Sequence, residues 1–172
     1  MKTKVCIHHS VLPRSTPNQW DIILHSHKKR GFGDNTAYHF FVEADGKIRE
    51  GRPLTESSSG TQNAAVNASH IHICLAGNFE TEHPTEAQIN VLKRMLAARN
   101  ITEVIGHRDA AASLCPGRNL YSLISTLLND NITLAKRIWV AADTLKKQVG
   151  AFQEEMEEIQ ESAHQIANNE RN

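Results

Sequence analysis

The chain has 172 residues, with 19 basic and 19 acidic side chains, ten histidines and three cysteines. That length suits one ordinary domain of ~100–150 residues with an appendage, and 40% hydrophobic content is enough to bury a core, which excludes general disorder. A formal charge of zero argues against nucleic acid as the main partner, and three cysteines cannot form a disulfide framework.

Val5-Cys6-Ile7-His8-His9 reads as a first buried strand. Before it there is no apolar run of the ~7–15 residues that a signal peptide needs, so cytoplasmic synthesis is expected. Nowhere does the chain approach the ~18–20 apolar residues of a transmembrane segment. Thr16-Pro17-Asn18-Gln19 predicts a helix start, with Thr16 as N-cap, Pro17 at N1 and Gln19 closing a capping box. That helix should pass through Trp20, Ile23 and His27 and stop at Gly31 in a left-handed C′ conformation. Tyr38–Glu43 and Lys47–Glu50 flank Asp45-Gly46, a strong hairpin signal. His70–Leu75 alternates and then turns apolar, as a strand with one covered face would. Thr85-Glu86-Ala87-Gln88 is a second capping box, opening an amphipathic helix with Ile89, Leu92 and Leu96 inward. Glu103–Gly106 is a short last strand, and Leu120–Leu128 another helix. The expected fold is α/β, a central mixed β-sheet flanked by helices, over residues 1–128.

Residues 129–172 are predicted to be a helical extension. Ala135, Ile138, Ala142, Leu145, Val149, Phe152, Met156, Ile159, Ala163 and Ile166 alternate spacings of three and four, the 3.5-residue period of a coiled-coil seam. At ~1.5 Å per residue the segment would extend roughly 45–50 Å. Two readings stand: a homo-oligomer joined through residues 135–166, or one amphipathic helix laid back on its own domain. Lys136, Arg137, Lys146 and Lys147 come early and Glu154, Glu155, Glu157, Glu158 and Glu161 late, which favours an antiparallel over a parallel partner.

The chemistry concentrates in three places. His8 and His9 should point to opposite faces of their strand, so only one of them serves a given site. His107 at a strand end and Cys115 eight residues later can converge through a loop as zinc donors, or can be polar residues around a buried cysteine. Tyr38 brings a hydroxyl to the start of a core strand.

Taken in order, Ile7-His8-His9-Ser10, Gly33–Phe40, Asp45–Pro53, Ile73–Phe79, Pro84–Gln88 and Gly106-His107-Arg108-Asp109 through Cys115-Pro116-Gly117 resemble the zinc-dependent N-acetylmuramoyl-L-alanine amidases, a family that includes amidase-type phage lysozymes and peptidoglycan-recognition proteins. The resemblance covers roughly residues 4–125. It implies one Zn²⁺ ion held by His8, His107 and Cys115, with a fourth position for water. It also implies that Tyr38 orients that water or stabilises the oxyanion. The substrate it implies is peptidoglycan or a muropeptide, cut between muramic acid and L-alanine. The expected use is that of a phage or prophage endolysin acting on the wall after release. Two other uses remain open: a binding or regulatory module with little turnover, and a cytosolic muropeptide-recycling amidase. Non-catalytic recognition relatives often lose the cysteine, which is retained here.

Two departures stand out. Ser113 occupies the position where the family carries lysine or threonine, and is read as a weaker catalytic helper. Gln62 stands at a usual histidine. Gln62, His70 and His72 are candidates for the substrate groove, the two histidines being equally readable as plain strand residues.

Overall fold

The computed structural model describes the backbone of residues 2–169 and the side chains of residues 2–128, 141–157, 159 and 160. Five strands form one sheet: β1 (Lys4–His9), β2 (Phe40–Val42), β3 (Ile48–Glu50), β4 (His70–Leu75) and β5 (Glu103–Gly106), in the order β3-β2-β4-β1-β5. β1 runs parallel to both β4 and β5, β2 runs parallel to β4, and only the β2–β3 hairpin is antiparallel. The expected mixed sheet is therefore the one found.

Alternation along β1 divides the core in two. Val5 and Ile7 join Phe40, Val42, Ile71, Ile73 and Leu75 on one face. There α3 (Glu86–Ala98) covers them with Val91, Leu92, Met95 and Leu96, helped by Leu120, Ile124 and Leu127. On the other face Phe41, Cys74 and Ala76 pack against Trp20 and Ile23 of α1 (Gln19–Lys29) and against Tyr38. β4 lies between β2 and β1 and all six of its residues are buried, so both of its faces are covered where one was expected.

Thr85 forms the predicted capping box: its hydroxyl accepts the Gln88 N–H while the Gln88 side chain accepts the Thr85 N–H. The hairpin closes through Ala44-Asp45-Gly46, with Gly46 at φ 87° and Glu43 N–H bonded to the Lys47 carbonyl. Gly31 ends α1 at φ 80°: its N–H bonds to Lys28 O and that of Phe32 to His27 O, the paired bonds of a Schellman motif. The start of α1 differs from expectation. Its N-cap is Asn18 in the left-handed region, not Thr16. Gln19 is drawn inward instead, its amide donating to Pro13 O and its carbonyl accepting the Ser10 hydroxyl, while Thr16 N–H is used by a turn to Pro13 O. A buried tertiary bond outcompetes the local box.

A six-residue helix, α2 (Ala64–Ser69), precedes β4, and a single turn, α4 (His107–Ala110), follows β5. The predicted helix over 120–128 is two pieces, α5 (Arg118–Tyr121) and α6 from Ile124. α6 runs without interruption to Asn169, across the expected boundary at 128/129. Two compact units, Met1–Asn131 and Ile132–Asn172, divide the chain. Within the second, Leu145, Val149, Phe152, Met156 and Ile159 form an exposed apolar row. Ala135, Ile138, Trp139, Ala163, His164 and Ile166 lie outside the described side chains. Among the described residues no helix is long and apolar enough to cross a membrane.

Candidate metal centre

The carboxyl ends of parallel β1 and β5 lie side by side, which brings His8 near the end of one strand against His107 just beyond the other. Their ring centroids are 4.8 Å apart. As expected from alternation, the adjacent histidines part company. His8 is fully buried on the site face, whereas His9 turns to the opposite face and accepts the Phe79 N–H through Nδ1.

Cys115 reaches His8 because the loop from 107 to 117 is tied back on itself. Arg108 N–H donates to Cys115 O at 2.9 Å, the Arg108 guanidinium donates to Leu114 O, and Gly117 N–H bonds to Leu114 O. Asp109 accepts the Gly106 N–H with one oxygen and the Tyr121 hydroxyl with the other, so it holds the loop's base. Gly117 has φ 88°, and a Cβ there would collide with the Phe79 carbonyl carbon; only glycine lets the loop sit this close to residues 79–80. Ser113 Oγ accepts the Cys115 N–H at 3.1 Å, which turns the cysteine toward β1.

His8 Nδ1 lies 3.8 Å from Cys115 Sγ, and His8, His107 and Cys115 offer donor atoms all within 4.8 Å of one another. A tetrahedral zinc with Zn–S ≈ 2.3 Å and Zn–N ≈ 2.0–2.1 Å separates its sulfur and nitrogen ligands by roughly 3.6 Å, so the three side chains fit the ion. Burial pushes the Cys115 thiol up to about 12 in the absence of metal, against the opposing pull of the His9 N–H, which donates to Sγ at 3.4 Å, and of Arg108. The His8 imidazole is held far below the ordinary histidine value by burial, then by neighbouring His72 and His107. A neutral imidazole is the form that ligates.

Tyr38 packs its ring 4.9 Å from that of His8. Its hydroxyl is enclosed, hydrogen-bonded to the Cys74 sulfur, and held well above the ordinary phenol value by burial first and by the Cys74 and Cys115 thiols second. The group is thus a neutral O–H donor beside the metal ligands.

The three groove candidates separate. Gln62 is exposed on the loop before α2. His70 sits at the opposite end of β4, in register with Lys4, where it faces Ser69 and lies 3.5 Å from Glu103; it is not at the cluster. His72 is fully buried behind His8, with 2.9 Å between His72 Nδ1 and His8 Nε2, and does not line a groove. Cys6, His8 and His72 form a second grouping of possible donors that shares His8. The reading of His39 as a residue behind the site agrees with its bond to the His72 N–H. Sequence reasoning missed the contact of Cys74 with Tyr38, although the pairing of β2 with β4 places Phe41 opposite Cys74.

Residues 2–118 match the family model described as N-acetylmuramoyl-L-alanine amidase. The chain belongs to that family. Within it, the chain is 32% identical over 130 residues to a short peptidoglycan-recognition protein of Drosophila simulans, covering 67% of this chain and 69% of that protein. It is 30% identical over 121 residues to peptidoglycan recognition protein 1 of Mus musculus, covering 66% of each. Among solved structures, the N-acetylmuramoyl-L-alanine amidase LysC from Clostridium intestinale superposes with a TM-score of 0.63 at 32% identity, over 74% of this chain and 85% of that one. The complex of peptidoglycan recognition proteins LCa and LCx bound to tracheal cytotoxin gives 0.63 at 25% identity, over 72% and 80%. This amidase-family fold ends before most of α6, which is outside the family match.

Proposed function

We propose that this chain is a zinc-dependent hydrolase that cleaves the amide between N-acetylmuramic acid and L-alanine in peptidoglycan, acting as a phage or prophage endolysin. The observation that carries the proposal is the convergence of His8, His107 and Cys115 with Tyr38 packed on His8. The endolysin named among its structural relatives, at 32% identity, supports the biological role.

Zinc, when bound, supplies a Lewis acid for the scissile carbonyl and lowers the pKa of its water toward ~7. The protein's own groups do the rest. Two imidazoles and a thiolate leave one tetrahedral position free. The His9 N–H on Cys115 Sγ stabilises the thiolate that ligation requires. The Tyr38 hydroxyl rests on sulfur, a weak acceptor, so it can turn to the stronger acceptor that develops as the carbonyl oxygen gains charge. Ser113, with its oxygen engaged by Cys115 N–H, keeps a hydroxyl proton to donate to the same oxygen.

A second reading is favoured by the recognition proteins among its relatives: a binding module with little turnover. Mass spectrometry of defined muropeptides incubated with the full chain separates the two. The hydrolase releases a stem peptide with a free L-alanine amine, loses this activity on chelation, and regains it with zinc. Cleavage that survives exhaustive chelation would overturn the zinc reading; binding without cleavage would favour the module. Tyr38→Phe should lower kcat about 10²–10³-fold, the cost of one oxyanion donor, at unchanged zinc content. Cys115→Ser should lose both zinc and turnover.

The exposed row on α6 is proposed to bind a second copy of the chain, antiparallel. In that arrangement Val149 meets Phe152, Leu145 meets Met156 and Ala142 meets Ile159, so every seam position finds an apolar partner. The lysine-bearing turn at 146–147 then faces the glutamate-rich stretch of the other copy, which a parallel pairing would stack on itself.

A further inference from the structure

His8 takes part in two overlapping groups of possible donors, with His107 and Cys115 on one side and with Cys6 and His72 on the other. Each imidazole has two nitrogens, and which one carries the proton decides which group can hold an ion. The proton inventory can be read outward from a carbonyl. Val66 O lies 3.3 Å from His72 Nε2 and can only accept, so the His72 proton is on Nε2 and its Nδ1 carries the lone pair. That Nδ1 is 2.9 Å from His8 Nε2. A hydrogen bond between two ring nitrogens needs one proton, and here it must come from His8 Nε2. His8 is left with its lone pair on Nδ1, the atom 3.8 Å from Cys115 Sγ.

We propose that His72 is a positioning residue: anchored on Val66 O, it holds His8 as the Nε2–H tautomer with Nδ1 aimed at the metal, and so selects the His8/His107/Cys115 set over the Cys6/His8/His72 set. The inference rests on the zinc reading above.

The surroundings are built for this pair. Both rings are fully buried, so water does not substitute for either partner. His72 is fixed by its place in β4 and by its backbone N–H, which donates to His39 Nδ1 at 2.9 Å. Gly60 lies over the bond between the rings. A Cβ there would come within 2.7 Å of His72 Nδ1 and 3.1 Å of His8 Nε2. Gly60 is itself held, its N–H donating to Ser58 Oγ, which in turn donates to Ala37 O. A second ion between His8 and His72 would displace the very proton that joins them.

The test uses the full chain in its metal-free form and with zinc. Long-range ¹⁵N–¹H correlation of the ¹⁵N-histidine-labelled, metal-free parent should show His8 Nδ1 without a proton and Nε2 with one. A proton on Nδ1 overturns the proposal, and this measurement needs no variant. By competition with a chelating dye, His72→Leu should bind zinc about 10–100-fold more weakly, as loss of a partner behind a ligand does. The visible spectrum of its cobalt form should also shift. His72→Gln, whose amide oxygen can accept from His8 Nε2, should recover most of the affinity. Gly60→Ala, which wedges a methyl group against the pair, should weaken zinc binding in the same direction as His72→Leu. Zinc affinity and cobalt spectrum equal to the parent in His72→Leu, or in Gly60→Ala should the former not fold, would overturn the role of His72. Failure of the zinc reading looks different: the parent would not bind zinc stoichiometrically, or Cys115→Ser would bind it equally well.

Discussion

At the scale of single residues, what a side chain does here depends on which of its atoms is already engaged. Ser113 illustrates this. Its oxygen accepts the Cys115 N–H, so its first duty is to shape the loop that presents the thiol. Ser113→Ala should therefore weaken zinc retention several-fold, besides any loss of kcat, whereas Tyr38→Phe should leave zinc untouched. Dye competition on the two variants checks the contrast; equal zinc affinity in Ser113→Ala and parent would reduce Ser113 to a donor only. His8 and His9 show the reverse case, because strand alternation alone assigns one to the site and the other to the Phe79 N–H.

Elements are held by a few local devices that are legible in sequence and by tertiary bonds that are not. The Thr85 box is local. Its hydroxyl also donates to Ala44 O, linking α3 to the hairpin loop. Thr85→Ala should cost about 1–2 kcal/mol, measurable as a lower urea midpoint at unchanged slope. The Thr16 box has the same composition and does not form, because Ser10 and Pro13 claim Gln19. In α6 the heptad spacing predicts a long helix, and the helix is there. Phe152→Asp places a charge at the centre of the exposed row. Sedimentation at micromolar concentration should give a dimer mass for the parent and a monomer mass for the variant; a monomeric parent would remove the proposed self-association.

For the molecule as a whole, histidine burial sets the response to acid. Burial lowers His9, His27 and His39 to about 4 and His72 to about 3, while an unfolded histidine titrates near 6.5. Between those values the unfolded chain binds more protons than the folded one, so stability rises with pH through this window. It is fully present above about pH 6.5 and is lost progressively as pH falls toward 4. Urea titration of the metal-free chain should give a clearly lower midpoint at pH 5 than at pH 7.5. Equal midpoints would mean that these imidazoles are not held neutral by the fold.

From sequence alone, the element order, the hairpin, the Thr85 cap, the ligand candidates His8, His107 and Cys115, and the helical extension could all be read. Each depends on periodicity, on turn chemistry or on an ordered set of motifs within short stretches of chain. The tertiary structure alone decided the rest. It buried β4 on both faces, set His70 beside Glu103 at the far end of that strand, and turned His72 from a groove candidate into the partner of His8. These outcomes depend on which strands become neighbours and which polar atoms are then left to pair in the absence of water. A linear pattern specifies the side chains available for such pairing, and packing determines which of them meet.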